Sequence, residues 1–314
     1  MKIFDAFLQG LRGVTQTKRY ILLIYVINLF VVLVLGATLA DSIQSSIGDS
    51  LAGEKMLESF DGLWYRGFSA QAEGLAQTFE PGVVGIGSVF NGLDSFLKGD
   101  LFEGHTLIAG LGLLYLLLWT FLSAGLIAKY SNTGESGSFF QQAARFFPRF
   151  MILSLLAGVL YFLLFGYVMD WVSKMVDELT RETIDERVHF TYTVFKYLFV
   201  WLLVWSVNIL FDYSKIFTVL KDHQNALTAP LKAAKLVFRN FSKTYGLYLL
   251  LGAVWVGFML LYWLIAPGAG QDSWVAIIAA FLLGQLYFIS RIAVRCLFYS
   301  GQTALWQTLA MREE

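Results

Sequence analysis

The sequence is poor in the residues from which most catalytic and metal sites are built. It has 1 cysteine and 3 histidines in 314 residues. The lone Cys296 excludes an intrachain disulfide and a cysteine-built metal site. None of His105, His189 and His223 has a metal-ligating side chain three or four residues further along the chain. Phosphate-binding, serine-hydrolase and zinc-protease motifs are also missing, so we expect neither an enzyme nor a metal or other cofactor.

Charged residues are scarce as well. They make up 15% of the chain, against about 25% in a typical soluble domain, while 57% of the residues are hydrophobic and the mean hydropathy is +0.62. This composition excludes an ordinary soluble protein and indicates an integral membrane protein. We expect membrane lipids as partners and no nucleic acid.

Six apolar blocks are long enough to cross a bilayer, since a spanning helix needs roughly 20 residues. They are 20–40, 106–129, 150–171, 193–212, 244–266 and 274–299. The ten-residue alternation typical of membrane β-barrels is absent. The sequence therefore predicts an all-α, polytopic protein with one membrane domain, 1–314, and we expect 41–105 to form a small helical cap on the outer surface.

Positive charge is distributed unevenly between the two sides that six spans define. If the N-terminus is inside, the inner segments contain 16 of the 23 basic residues but only 6 of the 23 acidic ones. Because basic loops stay in the cytoplasm, we predict that both termini are cytoplasmic. Cys296 then lies near the inner face, and a membrane-impermeant maleimide should label it, if at all, only in opened cells.

Similar segments recur at the inner ends of the even-numbered spans. The sequences SAGLIAKYS, SVNILFDYS and RIAVRCLFYS place Tyr130, Tyr213 and Tyr299 at intervals of 83 and 86 residues. QQAARFFPRF follows the first of them, LKAAKLVFRN follows the second, and FLQGLRGVTQ precedes the first span. This pattern predicts three hairpin repeats, each preceded by an amphipathic interfacial helix on the inner face. We place these helices within 1–18, 130–149 and 213–243. The alternative is that tyrosine and serine are simply common at a membrane interface.

Basic residues accompany the predicted interfacial helices. One candidate face, for anionic lipid or for docking a protein, consists of Lys232, Lys235, Arg239 and Lys243. The predicted inner-interface anchors are Arg145, Arg149, Arg291 and Arg295. Pro148 should end the second interfacial helix near Phe147, because proline disfavours helix at the residue before it.

Polar residues inside the spans are few. No aspartate or glutamate is predicted near the middle of a span, where an ionisable group usually marks ion-coupled transport. The polar side chains there, interpreted as interhelical hydrogen bonds, are Asn28, Ser154, Asn208 and Gln285. Pairs of small residues predict close helix contacts at Ser154/Gly158, Ala253/Gly257 and Ala280/Gly284.

Two segments carry a resemblance to known proteins. FDYSKI closes one predicted hairpin, and the basic segment ALTAPLKAAKLVFRNF opens the next. With six spans, this pattern resembles a loose group of prokaryotic six-helix inner-membrane proteins, including the membrane domain fused to some glycerophosphodiester phosphodiesterases. The resemblance covers the spans and inner helices but not 41–105, and it carries no catalytic residues. It implies a location in a bacterial inner membrane.

Two functions are consistent with this inventory. We expect a non-catalytic scaffold or accessory subunit of a membrane complex, with a protein partner or a second copy in the membrane, because interfacial helices and a charged face suit docking. The alternative is a permease or lipid-handling protein with a groove between the hairpins, which would need no buried charge.

Overall fold

The computed structural model describes residues 3–48, 51–58, 61–79, 106–131, 137–183, 185–266 and 273–310. These ranges are almost entirely helical. Towards the N-terminus, the helices are α1 (Ile3–Gln16), α2 (Lys18–Ile47), α3 (Ala52–Glu58), α4 (Gly62–Gln71) and α5 (Thr106–Tyr130). They continue as α6 (Phe139–Leu163), α7 (Met169–Thr180), α8 (Glu186–Leu220), α9 (Ala229–Arg239), α10 (Phe241–Ile265) and α11 (Trp274–Ala310). A 3-10 turn, Gly74–Thr78, follows α4, and a π-helical turn, Leu164–Val168, joins α6 to α7.

Within the described ranges, six helical segments are long and apolar enough to cross a membrane. They correspond to α2, α5, the continuous α6–α7 unit, α8, α10 and α11. The chain is thus a multi-pass membrane protein by the length and composition of its helices. Several of these segments are longer than a bilayer is thick: at ~1.5 Å per residue, the 35 residues of α8 and the 37 of α11, for example, cover roughly 50 Å or more. The predicted inner boundaries at residues 212 and 299 therefore fall inside continuous helices.

The prediction that Pro148 ends a helix is wrong. Helix α6 runs from Phe139 to Leu163 without a break, and the Oγ of Ser138 accepts a hydrogen bond from the backbone N–H of Gln141 at its start. Proline removes one backbone hydrogen bond, but Pro148 itself is exposed, and the adjacent residues Phe146 and Phe150 are buried against the core. The predicted interfacial helix at 130–149 is therefore the first part of a span-length helix.

The hydrophobic core is concentrated at the end of the bundle that carries both termini, here called the terminal end. Helix α1 packs there against the last part of α11. The main core contains fully buried Tyr213 and Tyr299, together with Ala6, Leu126, Phe150, Leu247, Leu305 and Trp306. Farther from this end many large apolar side chains are exposed, as on a surface covered by lipid. Examples are Phe30, Leu155, Phe195, Leu264 and Phe281.

Glycine allows a close contact between two helices, but not at the predicted positions. A Cβ added to Gly10 of α1 would lie 2.9 Å from the Cα of Gly301 in α11. By contrast, a Cβ on Gly158, Gly257 or Gly284 would meet nothing within 4 Å. The sequence prediction that these three glycines mediate helix packing is therefore wrong within the described chain, because their faces point away from the neighbouring helices.

The helix pairs agree only in part with three hairpins. The α6–α7 unit packs along α8, and α10 packs along α11, as two of the predicted hairpins require. In the first, however, α2 packs mainly against α11, while α5 packs mainly against α6. Buried residues do occupy matching places in the second and third predicted copies, with Phe139 and Ala143 corresponding to Ala229 and Ala233. The threefold repeat stays a prediction.

The described part of the predicted outer cap contains short helices. Asp61 begins α4, and its Oδ1 accepts hydrogen bonds from the backbone N–H groups of Leu63 and Trp64 at 3.0 and 3.1 Å. The rings of Trp64 and Phe79 pack around Phe68. The rest of the predicted cap, 80–105, lies outside the described residues.

Candidate functional site

A cavity of about 620 Å³ lies between α8, α10 and α11. Helices α8 and α10 give it mainly aromatic and aliphatic walls. These walls consist of Trp201, Val204, Trp205 and Asn208 from α8, and of Tyr248, Leu249, Gly252, Ala253, Trp255 and Val256 from α10. Leu249, Trp255 and Val256 are exposed along one side. The cavity is therefore a groove that opens sideways, towards the lipid, and we call it the lateral groove.

Helix α11 gives the lateral groove a cationic wall. Arg291 and Arg295, one helical turn apart, line it together with Val294 and Phe298. Arg291 is exposed and has no carboxylate within ion-pair distance among the described residues. The groove thus combines two apolar walls with one that carries positive charge.

Arg295 is held by an ion pair inside the bundle. Its Nη2 donates to the Oδ1 of Asp212 at 3.2 Å, and its guanidinium lies 4.7 Å from the centre of the Tyr299 ring. The side chain is 31% exposed, whereas that of Asp212 is 3% exposed. The sequence predicted that Arg295 is an inner-interface anchor, and that stays a prediction; its contacts place it between α8 and α11, facing the groove.

Asp212 is the residue that sequence reasoning misplaced. The sequence placed it at the inner end of the fourth predicted span, 193–212, but α8 continues for eight residues beyond it to Leu220. Its second carboxylate oxygen, Oδ2, is buried without a hydrogen-bond partner among the described residues. An acidic residue beside an apolar block, with an arginine in a later block, was the available signal, because buried charges are usually paired.

Positive charge exceeds negative charge around the lateral groove. Lys215 follows Asp212 by one helical turn, and its Nζ lies 5.8 Å from the centre of the Phe150 ring. The lining of the groove itself contains two cations, Arg291 and Arg295, and no carboxylate, and Asp212, which pairs with Arg295, offsets one of these two charges. A surplus of charge in a poorly hydrated region is unfavourable unless a counterion is present, so the groove is electrostatically suited to an anionic group.

The polar residues predicted inside the spans separate into two kinds. Three of them form hydrogen bonds within the protein. For two of these, Ser154 and Gln285, the hydrogen bond joins two helices, as predicted. Ser154 Oγ lies 3.3 Å from Thr120 Oγ1, and the hydroxyl of Tyr25 donates to Oε1 of Gln285 at 3.0 Å. The amide of Asn28 donates instead to the carbonyl of Ile24 in its own helix. Asn208, in contrast, lines the lateral groove.

Helix α9 presents three different faces. Ala229, Ala233, Leu236 and Val237 are buried against the rest of the protein. A second face leaves Leu231 and Phe238 exposed, at 73% and 69%. The third is basic, with exposed Lys232, Lys235 and Arg239, whereas Lys243 lies beyond a bend at Asn240, in the first turn of α10.

Two other predicted anchors form a cluster at the terminal end. Arg145 Nη2 and Arg149 Nη1 donate to the two carboxylate oxygens of Asp222, at 2.9 and 2.6 Å. The hydrogen bond from Arg149 and the positive charge of Arg145 lower the pKa of Asp222. Next to it, partial burial and the charge of Lys232 lower the pKa of His223. These contacts fasten the 221–228 segment to α6.

A second cavity, of about 510 Å³, lies between α7 and α8 at the other end of the bundle. It is lined by Thr180, Thr183, Asp185, Glu186, His189, Phe190 and Thr193. The Nδ1 of His189 is already hydrogen-bonded to Thr180 Oγ1 at 3.0 Å. No three metal-ligating side chains come together in the part of the chain that the structure describes.

Comparison with protein-family models, with curated proteins and with solved structures finds no significant match.

Proposed function

We propose that this chain is a non-catalytic, lipid-handling membrane protein that binds one amphiphilic molecule in the lateral groove. The observation that carries the proposal is the groove itself. Its volume of about 620 Å³ lies within the range of roughly 300–1,000 Å³ typical of small-molecule sites. Its two apolar walls and one cationic wall match a molecule with an apolar and a polar part. Of the two functions considered from the sequence, this proposal therefore favours the lipid-handling protein over the scaffold or accessory subunit.

The position of the opening supports a ligand that arrives from the bilayer. Leu249 and Val256 are exposed on the lipid-facing side of α10 at the edge of the groove, and Arg291 is exposed on α11. An amphiphile can enter between these helices without leaving the membrane. A ligand dissolved in water would instead favour an opening at one end of the bundle.

The proposal is tested by filling the groove. Gly252 lines it, and a Cβ there would meet nothing within 4 Å, so Gly252→Trp places an indole in open space. The matched control is Gly257→Trp in the same helix, at a glycine equally free of neighbours but outside the groove. We expect native mass spectrometry of the detergent-purified protein to detect one retained amphiphile in the wild type and in Gly257→Trp. Gly252→Trp should retain at least tenfold less.

Two results would refute the proposal. One is the finding that the folded wild-type protein retains no amphiphile in a defined ratio of ligand to protein. The other is equal retention by Gly252→Trp and the wild type.

A scaffold or accessory role is the second candidate, and α9 favours it. Its basic face and its exposed apolar face are adjacent, so a partner with an acidic, amphipathic segment could bind to both. Replacing Lys232, Lys235, Arg239 and Lys243 by glutamine should then release a co-purifying partner in a salt-dependent way, because exposed charge contacts are screened within ~8 Å at physiological salt. If the variant keeps each partner at low and high salt, these charges serve only lipid contact and membrane orientation.

The proposed setting is a bacterial inner membrane, with both termini in the cytoplasm. The surplus of basic residues in the inner segments supports this orientation. In that setting the lateral groove opens towards the inner leaflet.

A further inference from the structure

We infer that the ligand of the lateral groove is an anionic phospholipid, whose phosphate is bound by Arg291 and Arg295. The inference rests on the proposed function and adds the chemical class of the headgroup. Three observations carry it: the surplus of positive charge, the depth of the two arginines along α11, and the hydrogen-bond donors that Arg295 has left.

The charges around the groove match a single phosphodiester. Of the two cations that line the groove, Arg295 is paired with Asp212, and Arg291 has no carboxylate within ion-pair distance among the described residues. An exposed guanidinium at the edge of the hydrocarbon region is costly unless it pairs with an anion or reaches the headgroups. The charge of a phosphodiester group removes this cost at Arg291. A zwitterionic headgroup compensates less, since its own ammonium group cancels the phosphate charge.

The two arginines lie at the depth of a headgroup. Helix α11 begins at Trp274, which is 81% exposed, and tryptophan is typical of a membrane interface. At ~1.5 Å per residue, Arg291 lies roughly 26 Å and Arg295 roughly 32 Å further along the helix. The hydrocarbon core is ~30 Å thick. The cationic wall is therefore near the opposite boundary, where the phosphate of a lipid in the leaflet at the terminal end would lie.

Arg295 can bind a phosphate without giving up its ion pair. A guanidinium carries five N–H donors in a planar fork, and the contact with Asp212 uses one nitrogen, Nη2. The side chain is 31% exposed and lines the groove. Asp212 thus acts as a positioning residue that holds the guanidinium at the groove wall, and Arg295 keeps further N–H donors with which it can bind a phosphate.

The test measures which lipid the protein selects. Purified protein is equilibrated with vesicles of equimolar phosphatidylglycerol and phosphatidylethanolamine, and the bound lipids are counted by native mass spectrometry. We expect the wild type to retain phosphatidylglycerol at least fivefold over phosphatidylethanolamine. Arg291→Gln should lose most of this selectivity while staying folded, because Arg291 has no ion pair to break. Arg12→Gln is the control. It removes the same positive charge as Arg291→Gln, but Arg12 is exposed on α1, outside the groove.

A second variant tests Arg295 without leaving a buried charge unpaired. In Asp212→Asn/Arg295→Gln both members of the ion pair become neutral and still able to form a hydrogen bond. We expect this double variant to lose selectivity as Arg291→Gln does. If both variants keep the wild-type selectivity for phosphatidylglycerol, the inference is wrong.

The outcomes separate this inference from the proposed function. If Gly252→Trp expels a lipid that the wild type takes without regard to headgroup charge, the lipid-handling function stands and the anionic headgroup is wrong. If Gly252→Trp changes nothing, the function itself fails. Inorganic phosphate at the same concentration should not compete, because it lacks the chains that occupy the apolar walls. Effective competition by phosphate, or a dimer formed through this face, would overturn the assignment to a lipid.

Discussion

Replacing Gly10 by alanine should weaken the attachment of α1 to the bundle. The new Cβ would lie 2.9 Å from the Cα and 3.0 Å from the N of Gly301, both backbone atoms that cannot rotate away, and 3.2 Å from Leu297 Cδ1. Such overpacking typically costs ~1–3 kcal/mol. The higher helix propensity of alanine offsets roughly 1 kcal/mol of this. We therefore expect a net loss of stability of up to about 2 kcal/mol.

The loss is measured as the free energy of unfolding in mixed detergent micelles, from a denaturant titration followed by tryptophan fluorescence. Gly257→Ala and Gly284→Ala are matched controls in α10 and α11, because a Cβ at either position meets nothing within 4 Å. Both should be neutral or slightly stabilising, by up to ~1 kcal/mol from helix propensity. If Gly10→Ala is as stable as these controls, α1 does not pack closely on α11 and the argument fails.

Two further predictions concern the terminal end. Asp222 has a lowered pKa, so its ion pairs stabilise the protein above the ordinary aspartate pKa of ~3.9 and stop doing so as the pH falls through the lowered value. Asp222→Asn, which tolerates the same positive φ of 43°, should therefore be less stable than the wild type by up to ~1 kcal/mol at neutral pH, and this difference should shrink as the pH falls through the lowered pKa. A constant difference across this range would contradict the assignment. Cys296 is fully buried, so a maleimide should leave it unlabelled in the folded protein even in opened cells. In a cysteine-free background, Lys235→Cys should be labelled only after cells are opened and Asp61→Cys in intact cells, and the reverse pattern would overturn the proposed orientation.

The spans could be predicted from the sequence because apolar length alone determines them. In α9, Leu231 and Phe238 are exposed on one face, and the predicted basic residues Lys232, Lys235 and Arg239 are exposed beside it. Periodicity separates the faces of one helix but does not say which face meets another helix. The three unpacked glycines illustrate this limit: their spacing is that of a packing motif, yet their faces have no neighbour.

The lateral groove could be predicted only in fragments. Arg291, Arg295 and Asn208 were each noticed as polar residues within or beside a span, but nothing local indicates that they border one cavity. Asp212 and Arg295 are 83 residues apart, and their pairing depends on how α8 and α11 are rotated about their axes. Local rules also misjudged α6, because the loss of one hydrogen bond at Pro148 is outweighed by the burial of the aromatic side chains around it.

The concentration of the core at one end has a consequence for bilayers of different thickness. Because the main core joins the helices at the terminal end, their distant halves, which are largely exposed to lipid, can change their tilt while that core stays intact. Tilting is the usual response of a long helix to a thinner membrane, at a cost of only fractions of a kcal/mol per Å. Helices that diverge from a fixed end change their separation as they tilt. The width of an opening between α8, α10 and α11 would then follow the thickness of the surrounding bilayer, which makes membrane composition itself a control on access.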